Sequence, residues 1–155
     1  MDGFGQKHAR ELSSAPRSHR QTTEAPVRFT IDADRRLVIA RFGKRLTATD
    51  IQTYVQALCD HPSFNPSFCE IADISDVKEL PLEAPDFLKL ADSVDPFSIE
   101  SKRAFVAKTN VQKHAARMHK ILRSQRNFEI FQTLEQAKRW IAGSIDESMR
   151  TLSRR

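Results

Sequence analysis

Phe68-Cys69-Glu70-Ile71-Ala72-Asp73 is a short apolar run that closes in a carboxylate-rich turn, Ile74-Ser75-Asp76-Val77, near the middle of the chain. Phe68, Cys69, Ile71 and Ala72 carry a single charge among them, which is the pattern of a strand covered on both faces. Such a strand belongs in a parallel sheet with helices on each side. In open α/β sheets, ligands and partners meet the chain just beyond strand ends of this kind, so the turn from Asp73 to Val77 is the first place to look for a site.

The flanking sequence fits that frame. Val27-Arg28-Phe29-Thr30-Ile31-Asp32 alternates as a half-buried strand, Ala33-Asp34-Arg35-Arg36 turns, and Leu37-Val38-Ile39-Ala40-Arg41-Phe42 returns to complete a hairpin. Gly43 ends the hairpin, where backbone freedom is useful. Thr47 and Asp50 stand at capping-box spacing ahead of a helix whose Ile51, Tyr54, Val55 and Leu58 share one face. His61-Pro62 through Pro66-Ser67 stops that helix.

After the central strand, a second helix is predicted over roughly Pro85 to Val94, burying Phe87, Leu88 and Ala91 until Asp95-Pro96 breaks it. Arg103-Ala104-Phe105-Val106-Ala107 reads as an internal strand. Asn110 is the predicted cap of a third helix with Val111, Ala115, Met118 and Leu122 as its seam. Asn127-Phe128-Glu129-Ile130-Phe131 is the last strand. The final helix starts at Thr133-Leu134-Glu135-Gln136 and buries Leu134, Ala137, Trp140 and Ile141. Strands alternating with helices call for parallel pairing through right-handed crossovers.

At 155 residues and 39% hydrophobic, the chain is sized for one domain with a real core. Residues 1–26 hold four bases against three acids and no apolar periodicity, so they read as a flexible tail that is dispensable for folding. The domain spans 27–142, and 143–155 is a helical extension or a frayed tail. No stretch approaches the length of a membrane span, and the first residues lack a secretory apolar run, so a cytoplasmic protein is expected. Cys59 and Cys69 fall in predicted core segments outside any Cys-x-x-Cys spacing and are expected as buried free thiols.

Charge is unevenly placed. Asp60 to Glu100 holds ten acids against Lys78 and Lys89, whereas Ser101 to Phe128 holds eight bases and no acid. This polarity can steer a charged partner or drive self-association, and a homodimer is the expected state.

Several short signatures then occur in one order: the opening hairpin, Gly43, Leu46-Thr47-x-x-Asp50, Asp60-His61-Pro62-x-Phe64 and Asp73-Ile74-Ser75-Asp76-Val77. Arg103-Ala104-Phe105-Val106 and Phe131-x-x-x-Glu135-x-Ala137-x-x-Trp140-Ile141 follow. Together, over about Val27 to Ile141, they resemble the SpoIIAA-like family of small bacterial proteins, which have a STAS-type fold related to lipid-binding SEC14-type domains. The resemblance implies an α/β fold in which a mixed sheet of about five strands packs with about four helices. It further implies a non-enzymatic regulatory or interaction module that binds a protein partner or a small ligand.

Better-known STAS relatives are phosphorylated on a serine in an Asp-Ser-Ser/Thr-Gly motif after the equivalent central strand. Here that region reads Leu80-Pro81-Leu82-Glu83-Ala84, with neither hydroxyl nor glycine, so the switch does not carry over. Ser75 is the nearest hydroxyl, and turn formation accounts for it equally well.

The chemistry-bearing residues narrow the choice further. The four glycines form no phosphate-cradling cluster, and there is no Gly-x-Ser-x-Gly elbow. His114 and His119, five apart on one helix, cannot form a zincin-like pair. Asp73, Asp76, Glu79, Glu83 and Asp86 are the one acidic cluster with the chemistry to hold a hard cation, but acids near a helix start are favoured by the dipole without a ligand. Lys113, Arg117 and Lys120 form a stripe opposite the third helix's seam, suited to phosphate or other anionic groups.

The candidate binding residues are therefore Asp73, Ser75, Asp76, Lys113, Arg117 and Lys120, with no catalytic set, metal or cofactor expected. Nucleic acid is not an expected partner, because neither interleaved aromatics nor a known motif accompanies the bases. A SEC14-like carrier of an amphipathic anionic ligand is the alternative reading, its apolar part lying between the second and third helices against Phe87, Leu88 and Phe97. An enzyme with a site at the Asp73–Asp86 turn is the rival from another class.

Overall fold

The computed structural model describes residues 26–93 and 95–153; for residues 87, 91–93 and 144–153 it describes the backbone alone. Strands β1 (Val27–Asp32) and β2 (Leu37–Phe42) form the predicted hairpin, with β1 antiparallel to β2. Next come α1 (Ala48–Asp60), β3 (Cys69–Asp73), α2 (Ala84–Ser93), β4 (Arg103–Val106), α3 (Asn110–Arg123), β5 (Phe128–Phe131) and α4 (Leu134–Ser153). Strand order in the sheet is β1-β2-β3-β4-β5, and every pair after the hairpin is parallel. The strand read as central from sequence is central in space.

Side-chain alternation sorts the sheet into two faces. Val38, Ala40, Phe42 and Ala72 join Tyr54 and Leu58 of α1 in one core. Leu37, Ile71, Ala104 and Val106 join Ala137 and Ile141 of α4 in the other. On the α4 face the outer hairpin strand shows Arg28, Thr30 and Asp32 to solvent, as an antiparallel edge can. Among the described residues, three helices thus share one face of the sheet, and a single helix covers the other.

Local signals held where they were strongest. Thr47 caps α1 with a complete capping box: its hydroxyl accepts from Asp50 N at 3.2 Å, and Asp50 Oδ2 accepts from Thr47 N at 2.9 Å. The α3 cap is Thr109 rather than Asn110, because Gln112 sits three residues on and completes a second capping box. The left-handed position at the hairpin turn is taken by Arg36, at φ 55°, while no described glycine has a positive φ; Gly43 instead donates its N–H to Pro26 O at 2.8 Å.

Three burial expectations fail. Leu88 of α2 is 49% exposed and Val111 of α3 is 67% exposed, while Gln112, Ala115 and Ala116 turn inward. The α3 seam is rotated because Gln112, not Val111, finds partners beneath the helix. Cys59 is exposed, since it lies one helical step from the fully buried Leu58, and Cys69 is half-buried. Phe87 and Ala91 are outside the described side chains, and the N-terminal tail is outside the described residues apart from Pro26.

Candidate functional site

The face shared by α1, α2 and α3 is not fully filled. A cavity of about 630 Å3 separates these helices from the sheet. Its walls are Leu46, Ile51 and Val55 on one side, Leu80, Leu82 and Leu90 on another, and Phe42, Ala72 and Phe105 from the strands. α3 closes it with Val111, Gln112, Ala115 and His119. The cavity exists because small side chains, Ala72 and Ala115, stand where the helices pass over the strands, and because α2 packs on α3 more than on the sheet.

Charge lies at the floor. Glu70 of β3 and Arg103 of β4 are registered neighbours on the cavity face, and the guanidinium donates to Glu70 Oε1 from Nε at 2.9 Å and Nη2 at 2.6 Å. Tyr54 Oη donates to the other Glu70 oxygen at 2.7 Å. Arg103 Nη1 reaches Asp95 Oδ2 at 2.8 Å, where Arg123 Nε also donates at 2.8 Å. His119 Nε2 lies 3.4 Å from the same oxygen, at ion-pair distance but without a hydrogen bond. The Phe97 ring stacks under Arg103, with Cζ 4.5 Å from its centroid.

The electrostatics follow from this chain of contacts. Burial would raise the Asp95 carboxyl, but His119 and Arg103 beside it outweigh burial and hold it well below the usual carboxylate range. Burial likewise works against the Arg103 charge, and the flanking Glu70 and Asp95 more than restore it. Burial first, and the Glu70 charge second, push the Tyr54 hydroxyl well above its ordinary value, so it remains a donor. Sequence reading missed this network, although one signal was available. A charge inside a strand that must be buried on both faces needs a buried partner, and Glu70 was that charge.

Gln112 ties the two loops beside the cavity together. Its Nε2 donates to Ser75 O at 3.1 Å and Val77 O at 2.8 Å, and its Oε1 accepts from Lys108 N at 2.7 Å and Thr109 N at 3.0 Å. The turn after β3 and the loop after β4 are therefore held side by side.

The residues singled out from sequence fall in three places. Asp73 is buried at the end of β3, where its Oδ1 accepts from Ser75 N at 3.0 Å and Ser75 Oγ at 2.6 Å. Ser75 also lines the cavity. Asp76 is exposed, with Oδ2 3.9 Å from Arg41 Nη2. Lys113, Arg117 and Lys120 line no part of the cavity; Lys120 Nζ lies 5.9 Å from the centroid of the Phe128 ring on β5.

The wider acidic cluster disperses. Glu79 pairs with Arg45 at 2.7 Å, Asp86 accepts from Glu83 N, and among the described residues no group of three or more potential ligands could hold a metal. Phe97 lies beneath Arg103 rather than on the cavity wall, and the exposed Leu88 does not line it either.

A five-stranded mixed sheet with this order, three helices on one face and one on the other, is a SpoIIAA-like fold. Among solved structures, the chain is similar to an uncharacterised protein of the DUF3478 family with a SpoIIAA-like fold from Shewanella loihica PV-4. The two share 19% identity with a TM-score of 0.54, over 77% of this chain and 97% of that one. No family model matches the sequence, and no curated protein does. No described helix is long and apolar enough to cross a membrane.

Proposed function

We propose that this protein is a STAS-like binding module, not a catalyst, which holds a small amphipathic molecule between α1–α3 and the sheet. The observation that carries the reading is the cavity. Its volume of about 630 Å3 falls within the roughly 300–1,000 Å3 of small-molecule pockets, and its mainly apolar walls with a few convergent polar groups are the usual composition of one. The charged groups at the floor favour binding over chemistry, because Glu70, Arg103 and Asp95 are engaged with one another. The carrier reading thereby gains over the protein-partner reading, with the ligand's place shifted from the α2–α3 cleft to the helix–sheet interior.

Native mass spectrometry of protein purified from its own host tests this. A bound small-molecule mass is expected, lost on solvent extraction, and adding the extract back should raise Tm. Bound ligand at about a hundred times its Kd adds about 2.7 kcal/mol of apparent stability, which such a shift would show. Ligand-free protein whose Tm ignores the extract would refute the reading. The same spectra report whether the charge polarity produces a homodimer.

A further inference from the structure

The cavity has polar residues at two levels, and their charge balance differs. At the floor, Glu70 and Asp95 are matched by Arg103 and Arg123 through bonds of 2.6–2.9 Å. Both guanidiniums there are taken up by these carboxylates, so neither is left over to pair with a charged ligand. The remaining charged residues of the lining are Lys78 and Lys108. Both are exposed, so they stand where the cavity meets solvent, and neither has a carboxylate partner among the described residues.

Lys78 and Lys108 come from different loops, after β3 and after β4, yet the backbone that carries them is tied together. The Gln112 side chain bonds Val77 O, one residue before Lys78, and the N–H of Lys108 itself. Gln112 is 3% exposed, so this clamp is sheltered from competing water. Two lysines with no carboxylate partner among the described residues therefore line one cavity from adjoining loops that follow adjacent parallel strands, the side of the sheet where open sheets meet ligands. The same lining is otherwise largely apolar, with Leu80, Leu82, Val55 and Ile51.

Resting on the cavity reading above, we infer that the ligand is an amphiphile with an oxyanion head, its head held by Lys78 and Lys108 and its apolar body in the cavity. Carboxylate and phosphate heads share this chemistry. The α3 stripe of Lys113, Arg117 and Lys120 takes no part in holding the head.

Three probes with one tail test the inference: dodecanoate, dodecyl phosphate and dodecanol, each titrated by calorimetry below its micellar or solubility limit. At least one anionic probe should bind about ten- to a hundredfold tighter than dodecanol, the worth of one charge-assisted contact or more. The relative affinity of the two anions identifies the head. In the Lys78→Gln/Lys108→Gln double variant the preference should vanish while dodecanol binding is retained. Substituting Lys113→Gln/Lys120→Gln should leave the preference intact.

Equal affinity for all three probes, or a preference that survives loss of Lys78 and Lys108, would overturn the inference and leave the cavity reading standing. Failure of every probe to bind the wild-type chain would overturn both. Thermal unfolding of each variant guards against a loss that merely reports misfolding.

Discussion

Glu70 and Arg103 are direct cross-strand partners on β3 and β4, joined at 2.6 Å with side chains only 3% and 4% exposed. A buried pair of this kind is weak evidence for net stability, because desolvation offsets most of its attraction. Its effect on register is stronger. A one-residue slip of β4 would carry Arg103 to the α4 face, against Ile71, Ala137 and Ile141, and take from Glu70 its buried cation.

Removing one partner should therefore cost more than removing both. Glu70→Gln is expected to destabilise the fold by about 3 kcal/mol, because Arg103 loses one of its two buried anions. Tyr54→Phe, which takes one hydrogen bond from Glu70, should cost about 1 kcal/mol. Urea unfolding of Glu70→Gln, Arg103→Met and the double variant closes a cycle. Additive losses would show that the pair is not coupled.

Asp95 predicts the acid limb of stability. Its carboxyl is held below its ordinary value, near 3.9 in an unfolded chain, despite burial, by His119 and Arg103. The native state thus binds this proton less readily than the unfolded state. The resulting stabilisation is complete above about pH 4–5 and is lost as pH falls below about 4 towards the lower folded value. Asp95→Asn should lower stability at pH 7 and flatten its decline between about pH 4 and 2. Urea midpoints across that range decide it, and an unchanged acid slope would mean Asp95 does not govern this limb.

Much of the architecture was legible because local rules decided it. The hairpin bounds, the Thr47–Asp50 capping box and the inner face of α4 were set by alternation, capping chemistry and helical period. What was not legible depends on groups far apart in sequence. Glu70, Asp95, Arg103 and Arg123 meet across separations of 8–33 residues, and in one dimension Arg103 and Arg123 counted simply as part of a basic segment. The cavity is an absence of side chains, and no motif spells one.

The α3 seam gives a direct test of that difference. Apolar spacing places Val111 inside, whereas the structure exposes Val111 and buries Gln112. Val111→Ala should change stability by less than about 0.5 kcal/mol, as exposed substitutions do. Gln112→Ala should cost about 2 kcal/mol or more, because two carbonyls and two N–H groups of neighbouring loops lose their partner. Comparable losses for both variants would restore the seam read from spacing.

The two thiols should separate in the same way. Cys59 is exposed on α1, beside the inward Leu58, whereas Cys69 is half-buried on β3 and packs against the α4-side core. Burial pushes the Cys69 thiol up, so less of it is thiolate near neutral pH, and the thiolate is the nucleophile. In the native chain a disulfide reagent at pH 8 should label Cys59 about tenfold faster than Cys69, or more, and denaturant should bring the rates together. Cys59→Ser should leave stability within about 0.5 kcal/mol, while Cys69→Ser, which places a hydroxyl against Ile71 and its neighbours, should cost about 1 kcal/mol or more. Equal native labelling rates would mean that the face of β3 beneath α4 opens to solvent, and the packing of Ala137 and Ile141 on the sheet would then have to be re-examined.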